Sequence, residues 1–361
     1  MSIRRFFGSK SFYKHVVIIA IPLIFQQLIS NSVNLMVNLM IGQLGDHALA
    51  GVATVNRFFL IATFGTSGVI GAAAVFMAQF YGADDHEGMK QTFRYTIWAA
   101  TIIMSLFLVI GVMFPTQIIG FFVNDPNVIR EGLNFIYIGS LAFIPNIVTL
   151  SIAGSMRATG DSKTPLAAGI VSVIVNAFFN YGLIYGNFGF PAMGVTGAAI
   201  GTLIARTAEL VFISYFFIRG DYPFKTKIAD MFTMSTDIIK RISSKALPLV
   251  SNEILWATGM ALLLRFYASR GPEVISGYSI ASTVSDMFFT MNAGMSIAIT
   301  ILVSQPLGAG NFDEARDNGY HLIGFGVILS AIFGYYCLLQ PSLSLQSIRS
   351  LTRQCGPLRH S

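Results

Sequence analysis

The chain is short of charge. Of its 361 residues, 11% are Asp, Glu, Lys or Arg and 54% are hydrophobic. A soluble domain carries about 25% charged residues, so an ordinary soluble globular protein is excluded. Cysteine is nearly absent, and Cys337 and Cys355 have no metal-binding or redox spacing. The five histidines, His15, His47, His86, His321 and His360, are scattered, which leaves metal catalysis without support. No nucleophile–base arrangement, paired catalytic carboxylates or phosphate-cradling glycine loop occurs. RATGDSKTP at 157–165 lacks the Walker spacing and reads as a tight turn between two apolar runs. The first apolar run is too long for a cleavable signal peptide and has no small-residue cleavage site. An enzyme is not expected, and neither is a metal or an organic cofactor.

The formal net charge of +6 resembles a nucleic-acid footprint only until the basic residues are located. Arg4, Arg5, Lys10 and Lys14 precede the first apolar run, Lys90 and Arg94 follow the second, and Arg157 and Lys163 follow the fourth. Arg219, Lys225, Lys227, Lys240, Arg241 and Lys245 follow the sixth. The intervening loops carry Arg130 alone. This alternation is the positive-inside pattern of a multi-pass cell-membrane protein with a cytoplasmic N-terminus, and no nucleic-acid partner is expected. Spans are expected near 15–41, 52–81, 92–123, 131–156, 165–185 and 195–217, then near 247–267, 276–307 and 320–340.

Within the first span, Gln27, Asn31, Asn34 and Asn38 are spaced by three or four residues and share one helical face. Carboxamides facing lipid would go unsatisfied, so the stripe points at other helices or a wet cavity. Interhelical hydrogen bonding and cavity lining both fit.

The same span returns later. AIPLIFQQLISNSVNLMVNLMIGQLG at 20–45 aligns without gaps to ALPLVSNEILWATGMALLLRFYASRG at 246–271, with Pro22 and Pro248 standing 226 residues apart. At that offset Gly68 meets Gly294, Ala72 meets Ala298, and Gln79, Gly82 and Ala83 meet Gln305, Gly308 and Ala309. A duplicated unit of this size is a multi-helix half, a common way to build a secondary transporter with its site between halves. The fold class expected is all-α, with a six-helix bundle at 15–218, an inter-bundle loop at 219–245 and a partial, about three-helix bundle at 246–340. The polar, serine-rich tail at 341–361 is atypical: a nine-helix protein with a short tail is one reading, and the repeat favours a chain cut short or read out of frame after about Leu339.

Ionisable groups inside spans are functional candidates. Glu253 stands where the first copy has Gln27. It can exchange a proton, coordinate Na⁺ or attract a cationic ligand, or it can sit hydrogen-bonded and inert near the interface. Asp286 stands opposite Leu60 of the first copy, with Asn292 nearby, and Arg57 or Arg265 can neutralise it. Arg206 and Glu209 are placed to pair locally. Asn176 and Asn180 form a second polar face that can meet the first stripe or bond between helices.

RATGDSKTP at 157–165, NLMVNLMIGQLG ending at 45, AQFYGA at 78–83, NAFFNYGLIYG at 176–186 and PLVSNEILWATG at 248–259 together resemble the multidrug and toxic compound extrusion (MATE) transporters. The resemblance covers 15–340. It implies two helical bundles around a central cavity, and export of organic cations or amphipathic compounds in exchange for Na⁺ or H⁺. The chain is expected to be a monomer, with the bilayer and small molecules as partners. Glu253 resembles the family's seventh-helix glutamate, one turn earlier than in several branches, where Trp256 falls; Trp256 joins the expected cavity lining. Val37 and Asn180 stand where branches of the family carry Asp. A lipid-linked saccharide flippase of related fold and a non-transporting membrane fragment are the alternatives.

Overall fold

A computed structural model of the chain describes residues 6–268 and 294–339. The helices are α1 (Lys10–Gly42), α2 (Asp46–Gly82), α3 (His86–Met113), α4 (Pro115–Phe122), α5 (Pro126–Leu141), α6 (Phe143–Ala158), α7 (Lys163–Tyr185) and α8 (Gly194–Arg219). A loop with one short 3₁₀ turn, Ile228–Phe232, leads to α9 (Thr236–Ala268). The described part of α10 is Gly294–Gly308, and α11 is Phe312–Leu339. No strand occurs among the described residues. Among the described residues six helices are long and apolar enough to cross a bilayer, or seven if the bent pair α5 and α6 counts as one span.

Helices cover the expected spans as far as 267, with physical differences. The span read at 92–123 breaks at Phe114 because Pro115 disfavours helical backbone before it and opens α4 in its first turn. The span read at 131–156 bends by 46° between α5 and α6. There Pro145 has no N–H to donate, and its ring crowds the carbonyl four residues back, at Leu141. The helix α1 starts before residue 15 because Ser9 caps it, its hydroxyl accepting from the Phe12 N–H at 3.2 Å. The helix α9 starts at Thr236, inside the stretch read as loop up to 245. Most of the span read at 276–307 lies outside the described residues.

The first half has three interior clusters, the smallest of them Ala62, Ala100, Met104, Phe143 and Ile147. Ile41, Val52, Val55, Phe58, Ile119, Phe135, Ile136, Ile184 and Val195 fill one end, and Met77, Met89, Phe93, Ile152, Met156, Ile213 and Phe224 fill the basic end. Glycine lets the helices approach: a Cβ on Gly51 would stand 2.8 Å from the backbone of Val128 and Gly132, so α2 and α5 touch main chain to main chain.

The duplication read from the sequence is realised as reciprocal contacts. A Cβ on Gly82 would overlap the carbonyl of Gln305, and a Cβ on Gly308 would overlap the carbonyl of Gln79. Further along, Gly68 lies against Val250 of α9, with 2.9 Å from an added Cβ to the Val250 Cα. Its mate Gly294 lies against Ile24 of α1, at 3.3 Å from the side chain. Each residue has its counterpart 226 positions away, so a local two-fold relation passes between α2 and α10. The side-chain clusters repeat the relation. Val69, Ile242 and Ile238 with Phe76 and Ala99 on one side match Met295, Val16 and Phe12 with Leu302 and Phe325 on the other. Each half's opening helix therefore packs on the other half.

Gly82→Ala and Gly308→Ala are expected to destabilise the protein in detergent by about 1–3 kcal/mol each, because the clash is with backbone that cannot rotate away. Gly71→Ala and Gly259→Ala, where an added Cβ meets nothing within 4 Å, are the controls. Thermal unfolding checks this, and equal melting points for all four variants would refute the reciprocal crossing.

Candidate functional site

Three arcs divide the surface of α1. Val37, Met40 and Ile41 pack into the first-half interior, and Gln26 lies against Gly169 of α7. Ile18, Ile21, Phe25, Leu28, Leu35 and Leu39 form an exposed apolar arc suited to lipid. Gln27, Asn31, Asn34 and Asn38 occupy the register between these arcs. That register continues Val16, Ala20 and Ile24, and Ala20 and Ile24 meet Gly294 of the other half. The amide stripe thus runs on from the arc by which α1 contacts α10. Gln27 and Asn31 are bonded, the Gln27 Nε2 donating to Asn31 Oδ1 at 3.1 Å, and with Asn38 they are exposed.

The helix α9 lies antiparallel along α2. Ile254 meets Gly65, Trp256 stands edge-on to Phe64 at 5.1 Å, and the Arg265 guanidinium covers the Phe121 ring of α4 at 4.5 Å. Glu253 is half-buried beside Ile254, on the flank of the arc that contacts α2. Asp286 and Asn292 lie outside the described residues. Asn176 and Asn180 are buried inside the first half, with Asn180 Nδ2 donating to Asn176 Oδ1 at 2.8 Å. Asn180 rests on Gly201 of α8, so this side chain sits between α7 and α8. The structure therefore groups Gln27, Asn31 and Asn38 on one helix face and bonds Asn176 to Asn180 on another. Arg206 and Glu209 pair at 2.8 Å, as the sequence suggests.

Sequence reasoning missed how the loop between the halves is held. Gln91, Arg94, Tyr95 and Trp98 form one stripe of α3. The Ser235 N–H donates to Gln91 Oε1 at 3.0 Å, and Arg94 donates to the Thr226 hydroxyl at 2.9 Å and the Thr233 carbonyl at 2.7 Å. Trp98 Nε1 donates to the Met231 carbonyl at 2.9 Å, and the Tyr95 and Ser243 hydroxyls meet at 3.0 Å. The spacing of these four residues was the available signal, since polar groups at i, i+3, i+4 and i+7 share a face. The turn at 157–165 is pinned as well. Asp161 Oδ1 accepts from the N–H groups of Lys163 and Thr164, each at 3.1 Å, and its Oδ2 accepts from the Tyr222 hydroxyl at 2.7 Å. From the second half, Gln305 Nε2 donates to the Ala158 carbonyl at 2.9 Å.

Against this geometry, a sequence model of the family described as MatE matches residues 22–182 and 248–348. A "Probable multidrug resistance protein YoeA" from Bacillus subtilis is 25% identical over 328 residues, covering 90% of this chain and 70% of the relative. A "Probable multidrug resistance protein NorM" from Agrobacterium fabrum is 26% identical over 314 residues, covering 84% of this chain and 66% of the relative. A crystal structure of a MATE protein in a bent conformation superposes with a TM-score of 0.81 at 17% identity, over 91% of this chain and 73% of that one. An outward-facing multidrug resistance MATE family transporter gives 0.81 at 17% identity, over 94% and 74%. The two-bundle membrane architecture is shared with these structures.

Burial raises the Asp161 carboxyl, but hydrogen bonds from Thr164, Tyr222 and Lys163 outweigh it and hold the group below its ordinary 3.8. Its contribution to stability is then full above that ordinary value and is lost as pH falls through the lower folded value. Asp161→Asn is expected to flatten this acid limb of a melting-temperature profile, and an unchanged limb would remove Asp161 as its source.

Proposed function

The chain belongs to the MatE family, and on that premise we propose that it is a secondary active exporter of organic cations or amphipathic compounds, exchanged for Na⁺ or H⁺. The observation that carries the reading is the reciprocal crossing of α2 and α10 at the basic end, with an amide stripe continuing the same face of α1 beyond it. Two halves joined by such reciprocal contacts form the frame alternating access needs. The names of the relatives, which describe multidrug resistance proteins, support small-molecule efflux. On this reading the basic end faces the cytoplasm at a cell membrane, and the chain acts as a monomer of two bundles joined by the segment between α8 and α9.

In this mechanism Glu253 is the coupling group. It occupies the position of Gln27 in the repeat, on the helix by which the second half contacts the first. Cation binding or protonation there changes the charge beside α2, and such a change biases the two arrangements if its affinity differs between them. Gln27, Asn31, Asn34 and Asn38 supply neutral donors and acceptors to the substrate, which suits cations of varied shape, with Trp256 as an aromatic wall. The lipid-linked saccharide alternative loses ground because Arg206 is paired with Glu209 and Arg265 covers Phe121.

In proteoliposomes holding this chain, Glu253→Gln is expected to lower ion-gradient-driven ethidium efflux about tenfold or more while leaving ethidium binding within about twofold. Gradient-driven efflux at the parent rate would remove Glu253 from the mechanism. Absence of efflux by the parent chain itself would overturn the transport reading.

A further inference from the structure

The two-fold relation is broken beside the crossing of α2 and α10, and a cavity lies at the break. In the first half the Phe80 ring covers Gly88 at the start of α3, where an added Cβ would stand 2.6 Å from the ring. Both positions change in the second copy: Pro306 replaces Phe80, and Glu314 replaces Gly88. A prolyl side chain is too short to fill the place of a benzyl group. Pro306 and Glu314 instead line a cavity of about 350 Å³, together with Tyr81 and Gly82 of α2, Gln305 of α10 and Asn318 of α11. That volume lies within the range of small-molecule sites. The walls come from both partners of the glycine crossing, so the cavity is complete only where α2 and α10 meet. Among the described residues, none of the amide stripe on α1 and none of α9 lines it.

The lining is built to accept hydrogen bonds. Gln305 Nε2 donates to the Ala158 carbonyl and Asn318 Nδ2 donates to the Leu302 carbonyl, each at 2.9 Å. Each amide nitrogen is thus engaged, and the carboxamide oxygens are the acceptors that remain. Glu314 adds a carboxylate, the one formal charge among the described lining residues. Arg316, the basic residue nearest to it in sequence, pairs instead with Asp313 at 2.8 Å, and Glu314 has no ion pair among the described residues. Asn311 also lines the cavity, in the place of Asp85, whose Oδ1 caps α3 by accepting from the Gly88 N–H at 2.9 Å. A neutral amide there keeps the lining at a single negative charge. Ile301, Leu302 and Ala309 supply apolar wall, and the exposed Tyr81 ring supplies an aromatic one.

We infer that this cavity is a binding site for a primary ammonium ion on a short apolar chain, distinct from the residues proposed for transport. A primary ammonium carries three N–H donors and one charge, which matches one carboxylate and two amide oxygens. Its chain lies along Ile301, Leu302 and Pro306, and the Tyr81 ring offers the cation a further favourable face. A quaternary ammonium ion is a poorer occupant, because it has no N–H for the amide oxygens. The first half cannot hold the same ligand: Phe80 fills the place, and Gly88 supplies no acceptor. Because the walls belong to α2, α10 and α11, an occupant adds its own contacts to the one between the halves.

The test is a titration of the full 361-residue chain, in nanodiscs of neutral lipid, with butylammonium, read by saturation-transfer NMR. Binding by the parent is expected to saturate by about 10 mM. Glu314→Gln, at an exposed position where folding is not at stake, is expected to weaken it about fivefold or more. Asp313→Asn, the neighbouring acid, is expected to change it by less than about twofold. Pro306→Phe, which restores the ring of the first copy, is expected to abolish it; if that variant fails to fold, the two acid variants decide. Glu253→Gln is expected to leave binding as in the parent, which separates this site from the coupling group. Tetramethylammonium is expected not to compete. The proposal is overturned if the parent shows no saturable binding, if Glu314→Gln or a folded Pro306→Phe binds as the parent does, or if Asp313→Asn weakens binding as much as Glu314→Gln. It is equally overturned if Glu253→Gln abolishes binding or if tetramethylammonium competes fully. None of these outcomes depends on transport.

Discussion

The contact on which the rest depends is the crossing of α2 and α10, where Gly82 and Gly308 each bring main chain against the carbonyl of the other helix, at Gln305 and Gln79. Membrane helices have little hydrophobic drive to associate with one another, so close backbone approach and hydrogen bonds must hold them. Two glycines at one crossing allow that approach, and the same glutamine that supplies a carbonyl, Gln305, also donates across to Ala158. Moving α2 against α10 therefore moves the turn between α6 and α7, which Asp161 ties to Tyr222 in the loop between the halves. One crossing sets the position of several segments.

Much of this was legible in the sequence, because duplication leaves a register that needs no structure to detect. The matched pairs Gly82 with Gly308 and Gln79 with Gln305 turned out to be the contact residues themselves. The amide stripe of α1 was equally readable, since 3.6-residue periodicity fixes a face whatever that face meets. Backbone breaks were not readable at the level of hydropathy: the runs across Phe114 and Ala142 stay apolar, and only Pro115 and Pro145 marked the interruptions. The packing of Asn180 on Gly201 was out of reach as well. A period says that two asparagines share a face, but whether the face meets a gap or Gly201 depends on which neighbour is small.

The hold of α3 on the loop between the halves was hidden for a different reason. Arg94 and Lys90 were read as topology signals, and a basic residue after a span satisfies that reading completely. Yet Arg94 is buried, and its donors reach Thr226 and Thr233 across more than a hundred residues of chain. Sequence-local rules count charge at a membrane boundary; they do not distinguish a solvated arginine from one that organises a loop.

Several matched positions of the repeat also differ in ionisable character. Where the first half has Gln27, Gln91 and Tyr95, the second has Glu253, Asp317 and His321, and where the first has Leu60 the second has Asp286. At these positions the first half uses neutral groups that are hydrogen-bonded, as in the Gln27–Asn31 pair and the contact of Gln91 with Ser235. The second half places acids and an imidazole at the same sites. Duplication supplies two nearly equivalent frames, and equivalence gives no reason for either to respond to ions. Replacing amides by ionisable groups in one copy only breaks that balance. On the proposed reading, the first half is then the fixed reference and the second half the one whose charge state changes, and a difference in charge state between two mutually packed halves is what a coupled conformational change requires.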